Sequence, residues 1–171
     1  IKKILMKKMM KILRSSLPCQ FLNVFTVEKK KKVGSTRSNR LNMKFSDFNL
    51  NENFQKAISD LGFIDATDIQ SIAIPKLLET NNDFVGQAQT GTGKTIAFVL
   101  PLLEKLNAKS FDIQALILTP TRELANQVEK EIVKLGKYSD IRSQCVYGGT
   151  EYEPQIESIR KDNPHIIVGT P

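Results

Sequence analysis

The chain has 171 residues, 40% hydrophobic and 25% charged, enough for one domain with a sizeable core and too few for two domains of ordinary size. No apolar run approaches the ~20 residues that span a bilayer, and the longest, "IAFVLPLL", is interrupted by Pro101, so no membrane role is expected. The net charge of +7 is unevenly spread: residues 1–42 carry +11 and residues 43–171 carry −4, so a pI of 9.4 does not make the patterned part a basic nucleic-acid binder.

Residues 1–42 begin on Ile rather than Met. "IKKILMKKMMKILRS" sets Ile1, Ile4, Leu5, Met9, Ile12 and Leu13 on one helical face, with Lys and Arg opposite and no acid. Targeting peptides and membrane-surface helices share that pattern. Lys29–Lys32 and the polar Gly34–Arg40 read as disorder. A plainer alternative makes Met43 the natural start and residues 1–42 an upstream extension. Under each reading 1–42 is expected to be a basic tail of low order. Cys19 and Cys145 are too few for a disulfide framework or a zinc site, which suits two reduced thiols in a cytoplasmic protein. His165, alone beside "IIV", reads as a core-edge histidine.

From Met43 the pattern alternates between helix and strand. Phe54, Ala57, Ile58 and Leu61 recur at helical spacing, with Asn51 as candidate cap and Gly62 as stop. Thr67 is placed to cap a helix over Asp68–Leu78. Asp83–Ala88 reads as a short strand, followed by a helix over Lys94–Leu106 that Pro101 is expected to kink. Then come a buried strand over 113–119, a helix over 122–136, a strand over 142–148, a helix over 153–161 and a strand over 165–169. Strands alternating with helices of this length imply an α/β fold, a mostly parallel sheet flanked by helices.

The chemistry concentrates in Ala88-Gln89-Thr90-Gly91-Thr92-Gly93-Lys94-Thr95, which has phosphate-loop spacing with Ala in place of the first Gly. Gly91 and Gly93 let the backbone curl so that N–H groups face phosphate oxygens. The helix beginning near Lys94 adds its positive end. Lys94 can reach the β- and γ-phosphates, and the Thr95 hydroxyl can take one position on Mg²⁺. The loop alone leaves kinases, GTPases, transporter ATPases and helicases open.

Upstream lies "GFIDATDIQ", Gly62 to Gln70, and Phe45 stands seventeen residues before Gly62. The bland reading is a helix stop and a helix start, with Phe45 packed on Phe63 and Gln70 facing solvent. The functional reading is that the Gln70 amide pairs with the adenine edge while Phe45 stacks on the ring. "PTRELANQ" after the strand expected over 113–119 reads as a strand-to-helix turn, with Thr121 as cap and Glu123 at the positive helix end. Gly148-Gly149 and Gly169-Thr170-Pro171 can be plain strand-end turns.

In this order the segments resemble the DEAD-box RNA helicases across residues 43–171. "GFIDATDIQ" is similar to that family's adenine-reading segment, "AQTGTGKT" to its phosphate loop including the leading Ala, and "PTRELA", Gly148-Gly149 and Thr170-Pro171 to later motifs. The resemblance implies a RecA-like ATP-binding domain, partial over 43–171, that works with a second RecA-like domain across a cleft holding ATP, Mg²⁺ and single-stranded RNA. It gives Phe45, Thr67 and Gln70 to adenine recognition, Ala88–Thr95 to the phosphates, and Pro120, Thr121, Arg122, Gly148, Gly149 and Thr170 to the RNA backbone, held without reading sequence. Where the family reads Pro-Thr-Pro-Ile-Gln, this chain has Ala66-Thr67-Asp68-Ile69-Gln70, which points to looser preorganisation. No Asp-Glu-Ala-Asp, Ser-Ala-Thr or arginine finger is found in the 171 residues. The expectation is therefore binding without useful hydrolysis or unwinding, an unfinished sheet and low solubility. The alternatives are another P-loop helicase or ATPase, or an adenine-nucleotide and RNA-binding module.

Overall fold

The computed structural model describes residues 24–26, 43–80 and 82–171. Its helices and strands alternate as expected, and every strand pairing is parallel. The described residues fall into two compact units. One holds residues up to 105 together with 135–139; the other holds 106–134 and 140–171.

The first unit contains β1 (Val24–Thr26), α1 (Glu52–Asp60), α2 (Asp68–Glu79), β2 (Phe84–Gly86) and α3 (Lys94–Lys105). Asn51 caps α1 by accepting the Asn53 N–H at 3.0 Å, and Phe54, Ala57 and Ile58 form its buried face. Gly62, at φ +74°, stops it in the left-handed conformation that favours glycine. Two strands of chain then bridge: Phe45 N–H donates to Ile64 O at 3.0 Å, and Ala66 N–H donates to Met43 O at 2.8 Å. This short antiparallel bridge, centred on Lys44 and Asp65, fixes the entry into α2. Ala73 and Leu77 of α2 pack with Ala97 of α3, flanked by Ile69, Phe84 and Phe98. Alanine on each helix lets the two approach closely. Both helices contain a proline, Pro75 and Pro101, and each runs through it without interruption. The stretch 135–139 belongs to this unit, where Asp60 accepts hydrogen bonds from Lys137 Nζ and the Tyr138 hydroxyl.

β1 was not expected. It falls in the segment read as a low-order tail, yet pairs with β2 in the register Val24–Phe84, Phe25–Val85, Thr26–Gly86. The amphipathic pattern of residues 1–15 and the lysine run lie outside the described residues.

The second unit contains β3 (Ala115–Leu118), α4 (Arg122–Leu135, whose last residue belongs to the first unit), β4 (Ser143–Val146), α5 (Tyr152–Asp162) and β5 (Ile166–Gly169). The sheet order is β3-β5-β4, so β5 is central, and all four of its residues are buried. His165 is 0% exposed. Its Nδ1 accepts the Arg142 N–H at 3.0 Å, and Nε2 lies 2.9 Å from Ser110 O as donor. It is a satisfied core histidine, as the sequence suggests. Arg142 in turn caps α5, donating from Nε to Asp162 O at 2.7 Å and from a terminal nitrogen to Asn163 O at 2.9 Å, where the chain turns left-handed at φ 44°.

Candidate nucleotide-binding loop and strand-end surface

β2 ends at Gly86, and the chain curls through 87–93 before α3 starts at Lys94. Gly91 and Gly93 sit at φ +79° and +80°, the region open to glycine. Gly93 is constrained twice, because a Cβ there would overlap the Gln70 side-chain amide. The first bond of α3 runs from Ala97 N–H to Gly93 O at 3.1 Å. The N–H groups just before it are those that a helix start leaves without an intrahelical partner.

The loop is held from α2. The Thr67 hydroxyl donates to Thr92 O at 2.8 Å, and Gln70 Nε2 donates to Gly93 O at 3.2 Å. Gln70 Oε1 accepts the Thr67 N–H at 2.9 Å, closing the capping box of α2. Gln70 is only 3% exposed, which overturns the bland reading of it as a solvent-side residue. One of its two amide hydrogens and one of its two acceptor positions are used in these bonds, leaving one of each. Thr92 Oγ1 donates to Gln89 O at 2.8 Å, and Lys94 Nζ folds back to donate to Ala88 O and Gln89 O, both at 2.7 Å. Thr90 is exposed and Thr95 half-buried at the second position of α3.

Phe45 differs from the stacking role that the resemblance implies. Its ring is 2% exposed, set edge-on to Phe48 at 5.7 Å and tilted against Phe63 at 6.0 Å. It has no open face for a base. Phe63, at 38% exposure, does. Sequence reasoning treated Phe63 only as packing, although it stands in the same "GFIDATDIQ" stretch. Behind the loop, Lys94, Gly86, Phe84 and Ala97 help line an apolar cavity of about 20 Å³, room for one water and not for a base.

In the second unit the parallel register aligns Leu118, Gly169 and Val146 at one end of the sheet. The residues expected to hold RNA all issue from that end, the usual place for ligands on open parallel sheets. Pro120, Thr121 and Arg122 are exposed. Thr121 caps α4 by accepting the Leu124 N–H at 3.3 Å. The Arg122 guanidinium lies 5.5 Å from the Tyr147 ring and against Gly149, whose φ of +81° is the conformation that favours glycine. Gly148 has open space around it, and Thr170 N–H donates to Val146 O at 3.4 Å. Glu123 also lies here, its carboxyl held below the usual range by its own backbone N–H and then by the Thr121 hydroxyl.

Three supporting residues escaped sequence reasoning. Thr119 is 4% exposed and donates to Thr121 O at 3.0 Å, while its N–H donates to Gly169 O at 2.8 Å, tying the first loop to the last strand. Gln155 braces 147–151 by accepting the Tyr147 N–H at 3.1 Å and donating to the Thr150 hydroxyl at 2.9 Å and Glu151 O at 3.0 Å. Tyr147 supplies the ring under Arg122. For Gln155 and Tyr147 the sequence carries no local signal, since their partners are set by how α5 returns to the sheet.

A family model described as DEAD/DEAH box helicase matches residues 67–171. The chain is 52% identical over 128 residues to the ATP-dependent RNA helicase CshA of Listeria monocytogenes, covering 75% of this chain and 24% of that protein. It is 51% identical over 127 residues to the DEAD-box ATP-dependent RNA helicase CshA of Bacillus subtilis, covering 74% and 25%. The crystal structure of a DEAD box protein from Methanococcus jannaschii superposes with a TM-score of 0.70 at 44% identity, over 75% of this chain and 34% of that one. The chain thus spans about a quarter of the length of the curated relatives it matches. With the family model covering residues 67–171, more than half of the chain, and relatives about 50% identical, the chain belongs to the DEAD/DEAH box helicase family.

Proposed function

We propose that residues 43–171 are the nucleotide-binding part of an ATP-dependent RNA helicase, taking ATP on the phosphate loop and an RNA backbone on the strand-end surface. One observation supports this above the others: the single Gln70 amide is bonded both to the start of α2 and to Gly93 of the loop. A side chain with one donor and one acceptor left suits the N6/N7 edge of adenine and rejects guanine, whose corresponding edge presents two acceptors. Phe45 contributes by holding segment 62–67 through its N–H and its buried ring, while Phe63 offers the accessible aromatic face.

The phosphates take the place of the carbonyls of Ala88 and Gln89 as partners of Lys94, which has to swing away from both. The Gly91–Gly93 curl and the start of α3 present N–H groups to the phosphate oxygens. Thr95 offers a hydroxyl to Mg²⁺. The nucleotide's phosphates and this hydroxyl would hold the metal between them. When bound, Mg²⁺ neutralises phosphate charge.

On the second unit, Pro120, Thr121, Arg122, Gly148, Gly149 and Thr170 hold the sugar–phosphate backbone of an RNA strand without reading its bases. Duplex unwinding belongs to the longer protein with its second RecA-like domain. For these 171 residues the reading is binding without useful turnover, and measurable RNA-stimulated hydrolysis by the purified chain would overturn that. The test of the nucleotide site compares thermal protection by ADP and GDP. ADP raises the melting temperature more, and Gln70→Ala removes the difference. Equal protection of the unaltered chain by both nucleotides would sink the adenine reading.

A further inference from the structure

Arg122 opens α4, where a cation faces the positive end of the helix dipole, so its place there does not serve the helix. Its side chain is exposed, and the guanidinium lies 5.5 Å from the centre of the Tyr147 ring, within cation–π range. We infer that Tyr147 is a positioning residue for the contact between Arg122 and the RNA backbone, its ring steadying the guanidinium while leaving the N–H fork free for a phosphate. This rests on the RNA reading of the strand-end surface.

What steadies a guanidinium decides what it has left to offer. A carboxylate in a bidentate pair takes two of the five N–H donors, whereas an aromatic ring meets the flat face and takes none. The neighbouring carboxylate, Glu123, is engaged chiefly by its own backbone N–H and then by the Thr121 hydroxyl. Gly149, against which the guanidinium also lies, brings no side chain to compete for it.

The ring is itself fixed through its backbone. Gln155 of α5 accepts the Tyr147 N–H at 3.1 Å and donates to Tyr147 O at 3.3 Å, so one side-chain amide grips both polar groups of one residue, as a neighbouring strand would. One residue earlier, Val146 O accepts the Thr170 N–H from the end of β5 at 3.4 Å. A free arginine gives up its rotamer freedom when it meets a ligand, and one already resting on a fixed ring gives up less.

The test measures affinity of the whole 171-residue chain for a single-stranded RNA of mixed sequence. The unaltered chain is compared with Arg122→Ala, Tyr147→Leu, Tyr147→Phe and the double variant Arg122→Ala/Tyr147→Leu. Tyr147→Leu should weaken binding about two- to fivefold, and Tyr147→Phe, which keeps the ring, should bind as the parent does. In the Arg122→Ala background Tyr147→Leu should cost nothing more. A loss of the same size in that background would assign the ring to packing and overturn the proposal. Weaker binding by Arg122→Ala with none by Tyr147→Leu would remove the ring and leave the RNA reading standing, whereas unchanged binding by Arg122→Ala would end both. A readout without any variant guards against a misfolded Tyr147→Leu. The Arg122 Hδ resonances of the unaltered chain should sit upfield, shifted by the ring, and stay there when RNA binds. Their return to ordinary positions on binding would mean that the guanidinium leaves the ring to meet the phosphate, against the proposal.

Discussion

The phosphate loop and the strand-end loops are both turns that follow parallel strands, yet they are held by opposite means. The phosphate loop is pinned by side chains from 23 and 25 residues upstream, Gln70 on Gly93 and Thr67 on Thr92, and by its own lysine folded onto its carbonyls. The strand-end loops are placed by sheet register, by Thr119 on Gly169 and by the cap that Thr121 gives α4, while Arg122 stays exposed over Tyr147. A loop braced by polar side chains from elsewhere can be loosened or tightened by whatever else those side chains touch. A loop set by register keeps its geometry while its exposed cation remains free to meet a ligand. That division suits a base-sensing loop and a backbone-holding surface.

The sharpest way to break the first half is Gly93→Val. A side chain at φ +80° is strained, and its Cβ displaces the Gln70 amide, so the variant should lose about 3 kcal/mol in denaturant melting and fail to gain protection from ADP. The second half should break at His165→Ala. That change empties the buried His165 site and leaves the half-buried Arg142 N–H and Ser110 O without their partner at the foot of β5, an expected loss of about 2–4 kcal/mol, with β5 amides exchanging faster. A finer cut is Arg122→Ala. It should leave stability and ADP protection alone while lowering RNA affinity evenly across sequences and reducing the log–log salt slope by about one. An unchanged slope would remove Arg122 from the RNA surface.

The smallest effect concerns Glu104, whose carboxyl is pushed above its ordinary range by burial, partly offset by the Asn51 N–H that it accepts. A raised folded-state pKa adds stability below the unfolded value, and that stability fades as pH rises through the folded one. Glu104→Gln keeps an acceptor and cannot ionise. It should match the parent in mild acid and melt slightly higher at neutral pH, by well under 1 kcal/mol because the group is only half-buried and solvent screens its charge. A variant that melts lower at neutral pH would assign Glu104 a stabilising charge instead.

The elements and the loop were legible because their signals are local. Phe54, Ala57 and Ile58 mark a helical face by spacing alone, and Asn51, Gly62 and Thr67 cap or stop helices through bonds to residues a few positions away. "AQTGTGKT" announces its chemistry because glycine conformation, helix start and lysine reach are all set within eight residues. Strand ends came out one or two residues shorter than expected, since the outer residues turn into loops before the ladder closes.

What local pattern could not settle is where side chains go once helices pack. Burial of Gln70 follows from α2 lying against α3 and the loop, and burial of Phe45 from its meeting Phe48 and Phe63. β1 pairs with β2 across nearly sixty residues, and Gln155 reaches a loop only because α5 returns beside it. The amino-acid order by itself determined the helix and strand types, the phosphate loop and the family, because these depend on neighbours within a turn or two. Tertiary structure alone decided which side chains brace the loop, which aromatic shows a face and which strands pair, because those depend on contacts between residues far apart in the chain, which no local preference specifies.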